Sequence, residues 1–558
     1  MKKTGAALAR FALEQLGVSH TFGIPGVHNT ELYDELNASP HIQPVLVAHE
    51  CGAAFMADAF SRTGQRIGTL VIVPAAGVTH AASGIGEAGL DGIPMLIISG
   101  GIHSENGRQY QLHDIDQHAL LKPITKATFR ILSHAEVIPT LYEAYRIATG
   151  GEPGPVFVEL PYNIGNFLGE VEDMPLFQPA PPAAAADQQT LREMARQLVA
   201  ARHPGLFLGW GAMAAQRELI ELAEWLGAPV CTTLQGLSAF PANHPLHVGM
   251  GFGAYAVPAA EQAFAACDCL LAVGTRFSEI PTGSYSMPVP EQLLHIDINP
   301  QVFNANFPAS LCLAGDAALI IPALLGEVRA LLGQPRSSSL PAQIARDKAA
   351  YLQQWLQHDS GSRVNPAVFC QALRAQLADD ALVVADDGNH TFLLAELLPI
   401  HGPRGFISPS DFNAMGYCVP AAMGAKVGAP DDVVWGIDGD GCFQMTNQEL
   451  AILNANRLDV KYFILNNEVL GMVHQWQNKF YKGRYSHSEI PDSPDFVKLA
   501  DAYGITAARV SDPDKVDEAI RTALNYPGPY VLDILISKDE LVYPMVASGR
   551  PNNEMEGV

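Results

Sequence analysis

The 558-residue chain has little positive charge: 34 Lys and Arg stand against 58 Asp and Glu, a formal net charge of −24. No basic run offsets that balance, which argues against a nucleic-acid partner. The chain also lacks any uncharged apolar run of about 18 residues, so no membrane-spanning helix is expected. The start, Met1-Lys2-Lys3-Thr4, leads into an amphipathic stretch with Arg10 and Glu14 rather than the long apolar region of a secretory signal. Only eight cysteines occur. Cys267 and Cys269 lie close, but no second pair completes a zinc site, so reduced thiols and a cytoplasmic home are expected. No short repeat is visible. What the chain does have is length for several domains and a 48% hydrophobic content, ample for their cores.

Apolar strand-like runs alternate with helical patterns three times over. The first block carries Ser19–Phe22, Pro44–Val47, Gly68–Val73, Met95–Ser99 and Val156–Glu159; the second Gly205–Leu208, Cys269–Val273 and Leu293–Ile298; the third Leu382–Ala385, Val433–Ile437, Tyr462–Leu465 and Tyr530–Ile536. Strands spaced by helices call for parallel sheets covered on both faces. The expected fold class is α/β, as three doubly wound parallel-sheet domains over residues 1–173, 188–333 and 360–540. A Pro/Ala linker over 174–187 and a polar stretch at 334–339 separate them.

The most informative stretch lies in the third block. An apolar strand runs into Gly439-Asp440-Gly441; a helix with Leu450, Ile452 and Leu453 on its apolar face follows; a second strand delivers Asn466-Asn467. Glycines let backbone approach a phosphate, and a helix start offers N–H groups to an anion. Asp440 and an Asn are hard oxygen ligands that suit Mg²⁺ held partly by phosphate.

This arrangement resembles the diphosphate-binding motif of thiamine-diphosphate enzymes. The three-block layout is similar to their acetolactate synthase and pyruvate oxidase branch. "HECGAAFMADAFSR" (His49–Arg62), "VGTRFSE" (Val273–Glu279), "HIDINP" (His295–Pro300), "NAMGYCVPAAMGAK" (Asn413–Lys426), "LGMVHQWQNKFY" (Leu470–Tyr481) and "VYPMV" (Val542–Val546) look like acetolactate synthase large subunits. The resemblance implies thiamine diphosphate and Mg²⁺ as cofactors. Asp440 and Asn467 would ligate the metal by side chain and Val469 by its carbonyl. Gly388, Asn389, His390, Met415, Gly439, Gly441, Gly471 and Met472 would meet the cofactor, with Met415 as the wedge that bends it; His390 is alternatively a satisfied surface histidine. Glu50 would hydrogen-bond the aminopyrimidine ring and move its proton. Since the two halves of such a site come from different subunits, a homodimer at least, or a homotetramer, is implied.

Departures from the family bear on the substrate. Ala75-Ala76-Gly77 stands where acetolactate synthases usually carry Gly-Pro-Gly, and His113 where they carry an active-site Gln. His28 is similar to a histidine of benzaldehyde lyase. Two histidines near the reacting carbon could shuttle protons between about pH 5 and 8. Trp476 and Gln477 would line the acceptor pocket, and Lys126 is either a surface amine or a partner for a substrate carboxylate. The expected activity is a carboligase that decarboxylates a 2-oxo acid such as pyruvate and joins the remainder to a second carbonyl. The alternatives are a simple 2-oxo acid decarboxylase and a lyase cleaving 2-hydroxy ketones. In the middle block the turn "LGWGA" (Leu208–Ala212), with Arg276, Asp297 and Asp316 where flavin-binding members contact FAD, leaves FAD binding open.

Overall fold

Three six-stranded parallel sheets follow one another along the chain. The computed structural model describes residues 1–64, 66–180 and 186–542; the motif at Val542–Val546 therefore lies, past Val542, outside the described residues. The first sheet runs, in spatial order, Gln43–Leu46, His20–Gly23, Gly68–Ile72, Met95–Gly101, Pro155–Pro161, Ala127–Arg130. The third runs Phe406–Ile407, Leu382–Ala385, Val434–Gly439, Val460–Asn466, Tyr530–Leu535, Thr506–Val510. Numbered within each domain, both follow the order 2-1-3-4-6-5. The middle sheet runs His247–Met250, Val230–Thr232, Pro204–Leu208, Cys269–Val273, Gln292–Asp297, Leu311–Ala314, the order 3-2-1-4-5-6 of dinucleotide-binding folds. In such sheets the strand order reverses at one point, and ligands sit beyond the strand ends there.

The inner strands are apolar and buried along their length, as in Gly68–Ile72, Met95–Gly101 and Cys269–Val273. Helices on both faces leave no side for polar residues. A short antiparallel pair, Lys2–Thr4 with Leu168–Glu170, ties the start of the chain to the end of the first domain.

The first and third domains share one core. Helix Glu50–Thr63 lies against helix Cys418–Gly428. They approach so closely that a Cβ on Gly424 would collide with the backbone of Met56. A buried ionic cluster closes the same seam. Arg62 donates to Asp58 at 2.6 Å, to Asp91 at 2.9 Å and to the Ser408 carbonyl at 3.3 Å, and the Tyr417 hydroxyl donates to Asp58 at 2.5 Å. A guanidinium held by two carboxylates is the arrangement that makes burying the charge tolerable, and removal of either partner would be costly.

One expected element differs. The helix after Gly439 is broken: Asp440–Thr446, then a tight turn Asn447–Glu449, then Leu450–Asn456. Thr446 leaves helical geometry, and its hydroxyl donates to the Gly416 carbonyl, competing with the helix. Leu450, Ile452 and Leu453 are nevertheless buried.

Candidate active site

At the reversal point of the third sheet, strands Leu382–Ala385 and Val434–Gly439 pair side by side, and a cavity of about 130 Å³ opens beyond their ends. It gathers Gly388, Asn389, His390, Met415, Gly439, Asp440, Gly441, Asn467, Val469, Gly471 and Met472, residues that stand as much as 84 positions apart (Gly388 to Met472). Helices Asn389–Leu397 and Gly471–Phe480 both begin at its wall.

The cavity's polar atoms are short of partners. Buried Asp440 Oδ2, Asn389 Oδ1 and His390 Nε2 have no hydrogen-bond partner among the described residues. Burial pushes the Asp440 carboxyl up to about 7 and the His390 imidazole down to about 3. Asp387, half-buried beside Asp386, is also raised to about 7. A buried carboxylate oxygen without a donor, next to an amide, is costly unless a cation completes it. Asp386 is differently employed: it accepts from the backbone N–H groups of Asp387, Gly416 and Cys418 and so fixes the loop that carries Met415.

Glu50 begins helix Glu50–Thr63 in the first domain and is buried. Its Oε2 lies 2.9 Å from Nδ1 of His80, whose half-exposed ring stacks on His49 at 4.6 Å. Glu449 of the third domain reaches under the same turn, where its Oε2 accepts from the Ala48 N–H at 3.0 Å. A Cβ on Gly52 would collide with that carboxylate, so the helix start needs glycine there. The sequence reading missed both His80 and Glu449. His80 sits three residues past Gly77 on the helix that the Ala75-Ala76-Gly77 turn opens, which was the available signal. Ala75 itself holds φ 55°, a positive φ that favours glycine.

His28 and His113 meet edge to face with ring centroids 5.1 Å apart. His28 Nδ1 is buried without a partner, and burial, then His113, lowers the His28 pKa. Three expected residues have other engagements. Lys126 donates its ammonium to the carbonyls of Ile147, Gly150 and Glu152 at 2.5–2.7 Å, closing the end of helix Val137–Thr149, which fits the surface-amine alternative. Gln477 clamps a loop: its amide donates to the Ser486 carbonyl and accepts from Ser486 N–H and the Ser488 hydroxyl. Trp476 packs against Phe480 at 4.7 Å, further along the helix that Gly471 opens, and does not line the cavity.

The middle sheet has its own cavity, of about 380 Å³, at its reversal point, lined by the Gly209–Gly211 turn, Arg276, Asp297 and Asp316. Asp297 is pushed up to about 6 by burial, Asp316 caps helix Ala317–Leu332, and Arg276 pairs with Asp411 at 2.8 Å.

Three domain families match in chain order: the N-terminal TPP (thiamine pyrophosphate) binding domain of thiamine pyrophosphate enzymes at residues 2–120, their central domain at 191–324 and their C-terminal TPP binding domain at 386–534. The chain belongs to the thiamine pyrophosphate enzymes. Its similarity runs to acetolactate synthase large subunits over nearly its whole length. It is 33% identical to the acetolactate synthase large subunit of Corynebacterium glutamicum, covering 100% of this chain and 90% of that one. It is 34% identical to the isozyme 2 large subunit of Escherichia coli, covering 99% of each. It is also 34% identical to a probable acetolactate synthase large subunit of Methanocaldococcus jannaschii, covering 98% and 94%.

Proposed function

We propose that the protein is a thiamine-diphosphate- and Mg²⁺-dependent carboligase that decarboxylates a 2-oxo acid such as pyruvate and joins the remainder to a second carbonyl. The observation that carries this is the set of unpartnered buried atoms, Asp440 Oδ2, Asn389 Oδ1 and His390 Nε2, around one cavity that two helices open onto. Asp440, Asn467 and the Val469 carbonyl form an oxygen set of the kind that holds Mg²⁺ with phosphate. Backbone N–H groups at Asn389 and Met472 suit the diphosphate. When bound, thiamine diphosphate supplies the electron sink for carbon dioxide loss.

The chain's own residues do the rest. Glu50 would hold or release a proton toward the cofactor's pyrimidine ring, and the His80 ring holds one of its oxygens. Met415, in the cavity wall, would support the bound cofactor. His28 and His113 serve proton transfer near the reacting carbon.

The cofactor cavity is walled by third-domain residues alone, whereas Glu50 belongs to the first domain. Apolar residues near both halves are exposed: Val27 (69%) and Leu46 (60%) on the first domain, Met445 (55%) and Val473 (46%) on the third. Burying them against a second copy would complete each site, so a homodimer is the minimum active unit, and a homotetramer is compatible with it. The limits 1–173, 188–333 and 360–540 are retained for the three domains. The central cavity suits an adenine dinucleotide such as FAD, with Asp297 and Asp316 placed for ribose hydroxyls; flavin absorbance that stays with the protein through gel filtration is the test. The eight free thiols fit a cytoplasmic enzyme.

A second reading, a non-oxidative decarboxylase, is favoured by the His28–His113 pair. Incubation with pyruvate, thiamine diphosphate and Mg²⁺ decides. Acyloin as the main product supports the carboligase; free aldehyde alone replaces it with the decarboxylase.

A further inference from the structure

Met415 enters the cofactor cavity from a segment without regular structure. Residues 408–417 belong to no helix or strand, so no ladder satisfies their backbone N–H groups and side chains must do so. Carboxylates from two domains supply the acceptors. Asp386, in the third domain, accepts from the Gly416 N–H at 2.9 Å and the Cys418 N–H at 2.6 Å. The other end of the segment is held from the first domain, by helix Ala76–Asp91. Glu87 Oε1 accepts from the Ser410 N–H at 3.1 Å, and Glu87 Oε2 from the Ala414 N–H at 3.1 Å. One turn further on, Asp91 Oδ1 accepts from the Asp411 N–H at 3.1 Å, while its Oδ2 takes the Arg62 guanidinium at 2.9 Å.

The segment sits closely on this helix between its anchors: a Cβ on Gly86 would come within 2.5 Å of the Phe412 ring. Glu87 is fully buried, and each of its oxygens serves one backbone donor of the same loop. Withdrawing either oxygen would leave an N–H without its partner, so the carboxylate sets where the loop lies over the helix. Met415 follows Ala414 and precedes Gly416. Its backbone is therefore held by Glu87 on one side and by Asp386 on the other. The cavity's walls are all third-domain residues, and Glu87 is not among them. The first domain reaches this cavity only through the loop.

We propose that Glu87 is a positioning residue of the cofactor site: by holding Ser410 and Ala414 it places Met415 where it supports bound thiamine diphosphate. This rests on the reading of the cavity given above. Glu87 acts through Met415 and touches no reacting atom.

The test uses the enzyme loaded with thiamine diphosphate and Mg²⁺. It reads hydrogen–deuterium exchange at the cofactor's C2, cofactor affinity by calorimetry, and kcat with pyruvate. Glu87→Gln keeps size and shape but replaces one acceptor by an NH2 group that faces an N–H. C2 exchange and kcat should each fall roughly tenfold, the effect of a displaced contact, while cofactor affinity stays near that of the parent. Glu87→Asp keeps the charge and draws both oxygens back by one methylene. It should give the same pattern, and it carries the test if Glu87→Gln does not fold. Met415→Ala should itself slow C2 exchange, and adding the Glu87 substitution to it should slow exchange no further, because both act at one point. A merely structural role would make the two losses multiply. Losses that multiply, or C2 exchange unchanged in a folded Glu87 variant, would overturn the proposal while the cofactor reading stands. A parent enzyme that binds no thiamine diphosphate would overturn that reading and the proposal with it.

Discussion

Nδ1 of His80 lies 2.9 Å from Oε2 of Glu50, and the His80 ring stacks at 4.6 Å on that of His49, the residue that precedes Glu50. One oxygen of the proposed proton-transfer carboxylate is thereby held, and the other is left near the Gly77 turn. His80 acts through Glu50 and is a positioning residue. His80→Ala should lower kcat about tenfold, the value of one charge-assisted hydrogen bond of ~1.4 kcal/mol, with thiamine-diphosphate affinity kept. His80→Asn, which restores a donor, should recover most of it. A purely structural role would give the same pH–rate profile in His80→Ala as in the parent, and that result would remove His80 from the mechanism.

Asp440 carries the metal assignment. Its Oδ2 has no protein partner, and burial raises its pKa to about 7. Asp440→Ala should abolish Mg²⁺-dependent binding of thiamine diphosphate while the fold survives, since an uncompensated buried carboxyl is lost. Calorimetry that finds normal cofactor affinity in the variant would withdraw Asp440 as the ligand.

How far the sequence carried this site depends on what each residue touches. Inner strands such as Met95–Gly101 were legible because both faces are buried, so nearly all their residues carry no polar side chain. Within the three six-stranded sheets, five of the six strands that went unread, Ala127–Arg130, His247–Met250, Leu311–Ala314, Phe406–Ile407 and Thr506–Val510, are sheet edges, where one side stays open and the apolar run is short or mixed. The sixth, Val230–Thr232, has only three residues. Gly439-Asp440-Gly441 and Asn467 were legible because strand ends locate them. The protein partners of Lys126 and Gln477 were not legible because they are mostly backbone groups, which no residue letter reveals. Glu449 was missed because its contact with Ala48 spans 401 residues.

That contact has a pH signature. Glu449 is raised from about 4.5 to about 7 by burial, against the lowering effect of the Ala48 and His49 N–H groups. The folded protein therefore holds a proton that the unfolded chain has released. The stability from this group is fully present below about pH 4.5 and is lost as pH rises through about 7. Glu449→Gln, which mimics the neutral form, should match the parent near pH 4.5 and exceed it at pH 8 by roughly 1–3 kcal/mol in denaturant unfolding. A stability difference that does not change with pH would show that Glu449 is ionised throughout.

On the proposed reading, the choice between ligation and simple decarboxylation turns on His113, whose ring meets that of His28 at 5.1 Å. His113 sits at φ 68° in the loop that leads to helix Gln117–Leu121, so local backbone geometry as well as packing directs it toward His28. Burial and the neighbouring His113 both lower the His28 pKa, so a proton on one ring opposes a proton on the other. On the proposed reading, His28 and His113 would pass a proton to the reacting carbon. Glutamine at the same place would offer hydrogen bonds without a titrating proton. His113→Gln should shift products from one 2-oxo acid toward acyloin while carbon dioxide release continues at nearly the parent rate. The shift should be largest on the acid side of roughly pH 5 to 8, where histidine titrates. The same ratio of aldehyde to acyloin in both proteins across that range would mean that the pair only closes the loop.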